Sequence, residues 1–106
     1  MPPRKSPLKG LPLFAVALLA GCVSIEKAAP PVATFALQPS GVKRMQLEQG
    51  RTIYITKCAK CHSPEPVKRY SATRWEDILE EMIDETRLGS ADSAAVRAYV
   101  FAALRG

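Results

Sequence analysis

The stretch "CAKCH", residues 58–62, sets two cysteines three apart and places the only histidine of the 106-residue chain directly after the second. Three chemistries use such a spacing: a structural metal knuckle, a thiol redox pair, and covalent attachment of a cofactor. The choice depends on the compartment that the cysteines meet and on the structure that surrounds them, because thiols are kept reduced in the cytosol and are not outside it.

The N-terminus speaks to the compartment. Arg4, Lys5 and Lys9 are followed by the apolar run "LPLFAVALLA" from Leu11 to Ala20, with no acid before it. A basic start and a short apolar stretch form an export signal. At about 10 residues the run is half of what a bilayer-spanning helix needs. Its end, "LAGC" (Leu19 to Cys22), resembles the lipobox of bacterial lipoproteins, in which the cysteine is diacylated and becomes the new N-terminus. Residues 1–21 are therefore expected to be a signal peptide and Cys22 a lipidation site. Val23 is not the Asp that resembles an inner-membrane retention signal. The expected location is exported, lipid-anchored and periplasm-facing, on the outer membrane rather than the inner.

Removal of residues 1–21 takes away three bases and no acid, leaving 12 bases against 10 acids, a net charge of +2. So small a surplus argues against a nucleic-acid partner. The charges are unevenly spread. Residues 43–74 hold eight bases against Glu48 and Glu65, and residues 75–92 hold seven acids against Arg87 alone. A folded domain built from the two halves carries a strong charge dipole.

Residues 22–42 are rich in Ala and Pro, and Pro30, Pro31 and Pro39 interrupt any regular pattern. This segment reads as a lipid-anchored linker, with the alternative that Phe35, Ala36 and Leu37 pack back onto the domain. Residues 43–106, the expected folded domain, number only 64. At that length burial and ordering entropy nearly cancel, so an additional stabilising device is expected. All of its segments read as helices. Leu47, Gly50, Ile53, Tyr54 and Cys58 recur at helical spacing, then Trp75, Ile78, Leu79, Met82 and Ile83, then Val96, Tyr99, Val100 and Leu104. Thr73 with Glu76, or Ser71, is expected to cap the second helix, Gly89 to stop it, and Ser90 to cap the third. The expectation is an all-α domain of about three helices.

Against this background the three readings of "CAKCH" separate. A structural zinc site takes four ligands, and the chain offers no second cluster. A thiol redox pair favours an α/β setting and leaves His62 without a role. Covalent haem uses all three residues: the thiols of Cys58 and Cys61 add to the vinyl groups, and His62 ligates the iron. One haem c in the middle would also be the large apolar group that so small a core requires.

The chain resembles the small monohaem c-type cytochromes over residues 43–106. Besides "CAKCH", Gly50 and Tyr54 with Tyr99 look like the crossing of that family's first and last helices at a small residue. Pro64 or Pro66 resembles the proline that helps to orient the proximal histidine. "RYSATRWEDILEEM" is similar to a Tyr-Trp-Met pattern in compact bacterial members. The resemblance implies a compact cytochrome c-like fold around the covalently bound haem. One departure is plain: no long loop carries a sixth ligand between the middle and last helices.

For that sixth position the mature chain offers Met45 and Met82 as thioethers. Met45 precedes Cys58 by about 20 Å of continuous helix, so Met82 is the expected axial ligand opposite His62, with a core role as the alternative. Tyr70 and Trp75 are expected as walls of the haem pocket, either one within reach of a propionate. A haem held by His and Met has no open position, so an electron carrier is expected rather than an enzyme. The alternative is a haem-based sensor or enzyme of small ligands such as peroxide or a gas, with an open sixth position. Lys57, Lys60 and Lys68 are expected to surround the haem, which points to a redox partner with an acidic docking surface.

Overall fold

The computed structural model of the chain describes residues 24–58 and 64–106. Within them lie four α-helices, α1 (Ile25–Ala28), α2 (Gly41–Thr56), α3 (Ala72–Thr86) and α4 (Ser90–Arg105), with 3-10 turns at Val32–Thr34 and Val67–Arg69. No strand occurs among the described residues, and the domain is all-α. The signal peptide expected at 1–21 and the lipidation site at Cys22 lie outside the described residues.

The fold is organised by the crossing of α2 and α4. A Cβ on Gly50 would stand 2.0 Å from the Ala95 carbonyl oxygen and 2.7 Å from the Tyr99 Cβ, so the two backbones meet where a side chain is missing. Leu47, Ile53 and Tyr54 of α2 and Ala95, Val96, Tyr99, Val100 and Ala103 of α4 are buried around that point. Of the apolar stripe expected on α4, Leu104 alone stays partly exposed.

An aromatic chain runs through the core. Phe35 stacks on Tyr99 at 6.1 Å between ring centroids, Tyr99 meets Tyr54 at 6.1 Å, and Tyr54 and Tyr70 both stand edge-on to Trp75, at 6.0 and 5.6 Å. The first of these rings comes from the segment expected to be a free tether. Ala28, Ala29, Val32 and Phe35 are all buried. Arg51 Nε donates to the Ala29 carbonyl at 3.0 Å and the Tyr99 hydroxyl to the Pro30 carbonyl at 2.7 Å. The linker expectation is therefore corrected for residues 28–35, which wrap the α2–α4 crossing. The physical reason is the shortage of core noted above: small apolar residues fill it, and the carbonyls that a Pro-rich chain leaves unpaired find donors on the helices. Ala36 and Leu37, offered with Phe35 as packing residues, point outward, and Leu37 is 88 % exposed.

The ends of the helices differ in detail from expectation. α2 starts at Gly41, whose φ of 56° lies in the left-handed region that glycine enters without penalty. α3 is capped by Ser71, whose Oγ accepts from the Arg74 amide at 3.2 Å, and not by Thr73. α3 stops at Thr86 because Arg87, at φ 54°, takes the left-handed position expected of Gly89. Its amide closes onto the Asp84 carbonyl at 3.2 Å, and the Leu88 amide onto Ile83 at 3.4 Å, as in a Schellman turn. Gly89 then becomes the N-cap of α4, and Ser90 its first residue, with no side-chain cap.

Candidate functional site

α2 delivers Cys58 to the edge of the core. Cys58 follows the helix by two residues, its amide bonds back to the Ile53 carbonyl at 3.2 Å, and its side chain is 8 % exposed against the aromatic cluster. Burial pushes the Cys58 thiol above its ordinary value. Reactive redox thiols are made by the opposite shift, an electropositive setting that lowers the pKa. The environment of Cys58 therefore suits a structural or attached sulfur better than a redox pair. Cys61, His62 and Lys60 lie outside the described residues.

After the motif the chain is caught again at three points. The Tyr54 hydroxyl, one helical turn before Cys58, donates to the Glu65 carbonyl. The Glu65 carboxylate accepts from the Tyr70 hydroxyl at 3.2 Å and pairs with Arg69 at 3.0 Å. Trp75 Nε1 donates to the Val67 carbonyl at 2.7 Å. Tyr54 thus ties the last turn of α2 to the chain beyond the motif, joining the residue one turn before Cys58 to the residue after Pro64. Burial raises the Tyr54 phenol well above its usual range, with Tyr99 and Glu65 adding to the effect, so it stays a donor. The sequence placed Tyr54 in the helix crossing; its bond to Glu65 carried no sequence signal, because the acceptor is a backbone carbonyl.

Trp75 and Tyr70, expected as walls of a haem pocket, stand edge-on to one another, and Trp75 also meets Tyr54. Trp75 is fully buried, and a buried indole N–H must find an acceptor, which the 3-10 turn at Val67 supplies. The Tyr70 hydroxyl is likewise engaged, on the Glu65 carboxylate.

α3 carries Met82, which packs partly buried against the core cluster. Helical spacing puts Met82 between Ile78 and Trp75 in angle around the axis. Yet Trp75 and Leu79 are fully buried, while Ile78, Met82 and Ile83 are only half-buried. The apolar stripe of α3 therefore runs out beyond the core toward its C-terminal half. The acids of the opposite face, Asp77, Glu80, Glu81 and Asp84, are exposed, and together with Ile83 and with Arg97 of α4 they line a groove of about 580 Å³. Met45, 71 % exposed at the far end of an unbroken α2, is separated from Cys58 by about 20 Å of helix and has no route to a site there.

A covalently attached haem needs a thiol in apolar surroundings, and Cys58 is buried beside the core cluster. The half-buried side chains of Ile78, Met82 and Ile83 are apolar, and Ile83 also borders the acidic groove. Among the described residues no three His, Cys, Asp or Glu side chains converge as metal ligands. No described helix is long and apolar enough to cross a membrane.

The expected basic surround is divided. Lys57 pairs with Asp92 near the start of α4 at 3.8 Å, whereas Lys68 donates to the Leu104 carbonyl near its end at 3.3 Å. About 18 Å of helix separates those two partners. Lys57 and Lys68 therefore do not form one patch. Comparison of the chain with protein-family models, with curated proteins and with solved structures finds no match.

Proposed function

We propose that the chain is a lipid-anchored, single-haem electron carrier of the periplasm. The observation that carries the reading is the position of "CAKCH": it begins at a thiol buried at the C-terminal end of α2, where Tyr54 ties the helix to the chain beyond the motif. Cys58 and Cys61 would hold the haem c through their thiols, and His62 and Met82 would ligate its iron. The bound group supplies a one-electron couple, and ligation by His and Met raises its potential.

The chain's own residues do the rest. Tyr54 and Trp75 fix the return of the backbone at Glu65 and Val67, beyond the motif. Ile78, Met82 and Ile83 would offer apolar surface from which water is excluded. Lys57, 58 % exposed in its side chain, is the described base next to the attachment point, and with Lys60 it favours a redox partner with an acidic surface. Export and acylation at Cys22 keep the domain on the membrane, with the outer membrane favoured over the inner.

The test is an optical and mass analysis of protein made in cells that mature c-type cytochromes. The expected result is a haem that survives denaturation, a low-spin spectrum, and no response to carbon monoxide. Cys61→Ala or His62→Ala should prevent the holoprotein from accumulating. Ready binding of carbon monoxide by the unmutated protein would replace the carrier with a sensor or enzyme that has an open sixth position. A polypeptide that sheds all haem on denaturation would sink both readings.

A further inference from the structure

One end of the α2–α4 pair is unlike the remaining surface. Leu37, Val42 and Met45 are 88, 84 and 71 % exposed, and all three lie at the end where α2 begins and α4 finishes. There a cleft of about 290 Å³ brings Leu37, Lys43 and Arg105 together, and none of the side chains lining it is acidic. Lys68 reaches the same end through its bond to the Leu104 carbonyl. Glu48, the nearest acid along α2, is held by Arg44 at 3.4 Å.

We propose that this end rests on the anionic membrane surface in which the lipid of Cys22 is embedded, and that α2 then holds the Cys58 end away from the bilayer. The inference builds on the lipoprotein reading of Cys22. Its first support is composition: the exposed apolar side chains share this end with Lys43 and Arg105, and no acid lines the cleft there.

The second support is chemical. A single weak membrane signal is held stably only when another joins it, and apolar side chains among lysines and arginines are suited to an anionic headgroup layer. The third is orientation. Met45 and Cys58 lie at opposite ends of α2, about 20 Å apart, so contact at the first leaves the second facing the aqueous side.

Methionine oxidation tests this on the full mature chain reconstituted in vesicles of phosphatidylethanolamine with phosphatidylglycerol, or of phosphatidylcholine alone. Brief peroxide treatment and peptide mass analysis give the rate at Met45, referred to that of free methionine added to the same mixture. The expected rate at Met45 is about threefold or more lower on the anionic vesicles than on the neutral ones. The doubly reversed variant Lys43→Glu with Arg105→Glu should lose that difference.

Equal rates on both vesicles would overturn the proposal. So would protection that needs no vesicles and grows with protein concentration, since a second copy would then cover this end. The intact mass of the mature N-terminus tests the lipoprotein reading separately. If acyl chains are missing, the same chain mixed with anionic vesicles still supports the surface when Met45 is protected, and refutes it when Met45 is not.

Discussion

Gly50→Ala should destabilise the protein, and the structure gives both sign and size. The added methyl would lie 2.0 Å from the Ala95 carbonyl oxygen, 2.7 Å from the Ala95 carbonyl carbon and 2.7 Å from the Tyr99 Cβ. Two of these are backbone atoms, so no side-chain rotation relieves the contact and α4 itself must retreat by about 1.4 Å or more to restore ordinary van der Waals distance. A gap of that size forfeits about half or more of the dispersion attraction across the interface that buries Tyr54, Tyr99 and Val96.

Overpacking of this kind costs about 1–3 kcal/mol, and the rigid neighbours place Gly50 at the upper end. Helix propensity acts the other way, since alanine favours an exposed helix interior by about 1 kcal/mol over glycine. The net expectation is a loss of about 2 kcal/mol, or a fall of roughly 10 °C in Tm for a domain of this size. Thermal unfolding of the holoprotein followed by far-UV circular dichroism measures it. A Tm that rises, or that moves by less than about 3 °C, would refute the reasoning, because propensity alone would then be governing a position that backbone contact is said to control.

Further expectations attach to single side chains. Tyr99→Phe removes the donor to the Pro30 carbonyl; it should cost about 1 kcal/mol in urea unfolding and expose residues 24–35 to limited proteolysis first. The phenols of Tyr54 and Tyr99 are raised above the ordinary value of 10.0, chiefly by burial. Both are protonated in folded and unfolded chains below pH 10, so that contribution is complete there. Above it the unfolded chain alone loses protons, and the urea midpoint should fall as pH rises from 10 toward 12. Met82→Ala should let carbon monoxide bind and lower the potential while the haem stays attached through Cys58 and Cys61, as read by difference spectra and redox titration.

Much of the architecture was legible because it rests on spacing. The stripes Leu47–Gly50–Ile53–Tyr54 and Val96–Tyr99–Val100 name the faces that meet, and Gly50 marks the crossing because a missing side chain is visible in sequence. The tail was harder to read. Ala28, Ala29 and Val32 have no periodicity to advertise burial, and the acceptors that Arg51 and Tyr99 find are carbonyls, which every residue carries. Arg87 was missed for a related reason: Gly89 is the better left-handed residue, but the last apolar position of α3 comes too early for it. Within the site, the positions of Cys58, Trp75 and Tyr70 follow from the helices, whereas the bonds from Tyr54 to Glu65 and from Trp75 to Val67 depend on how the chain returns.

The docked tail also changes what the cofactor has to contribute. A domain of 64 residues has too little core by itself, but Phe35 and Val32 extend the buried cluster through Tyr99 to Tyr54 and Trp75 using protein atoms alone. The α2–α4 crossing with its tail is therefore the more self-sufficient part of the fold. The second half of α3 is not, since Ile78, Met82 and Ile83 lie half-buried along a stripe that the rest of the chain leaves partly uncovered. A group held by both Cys58 and Met82, as proposed, would add its burial where the protein has least, so its stabilising effect should concentrate in α3 and not spread evenly. Amide exchange would register that as strong cofactor dependence at residues 78–86 and weak dependence around Gly50 and Tyr99.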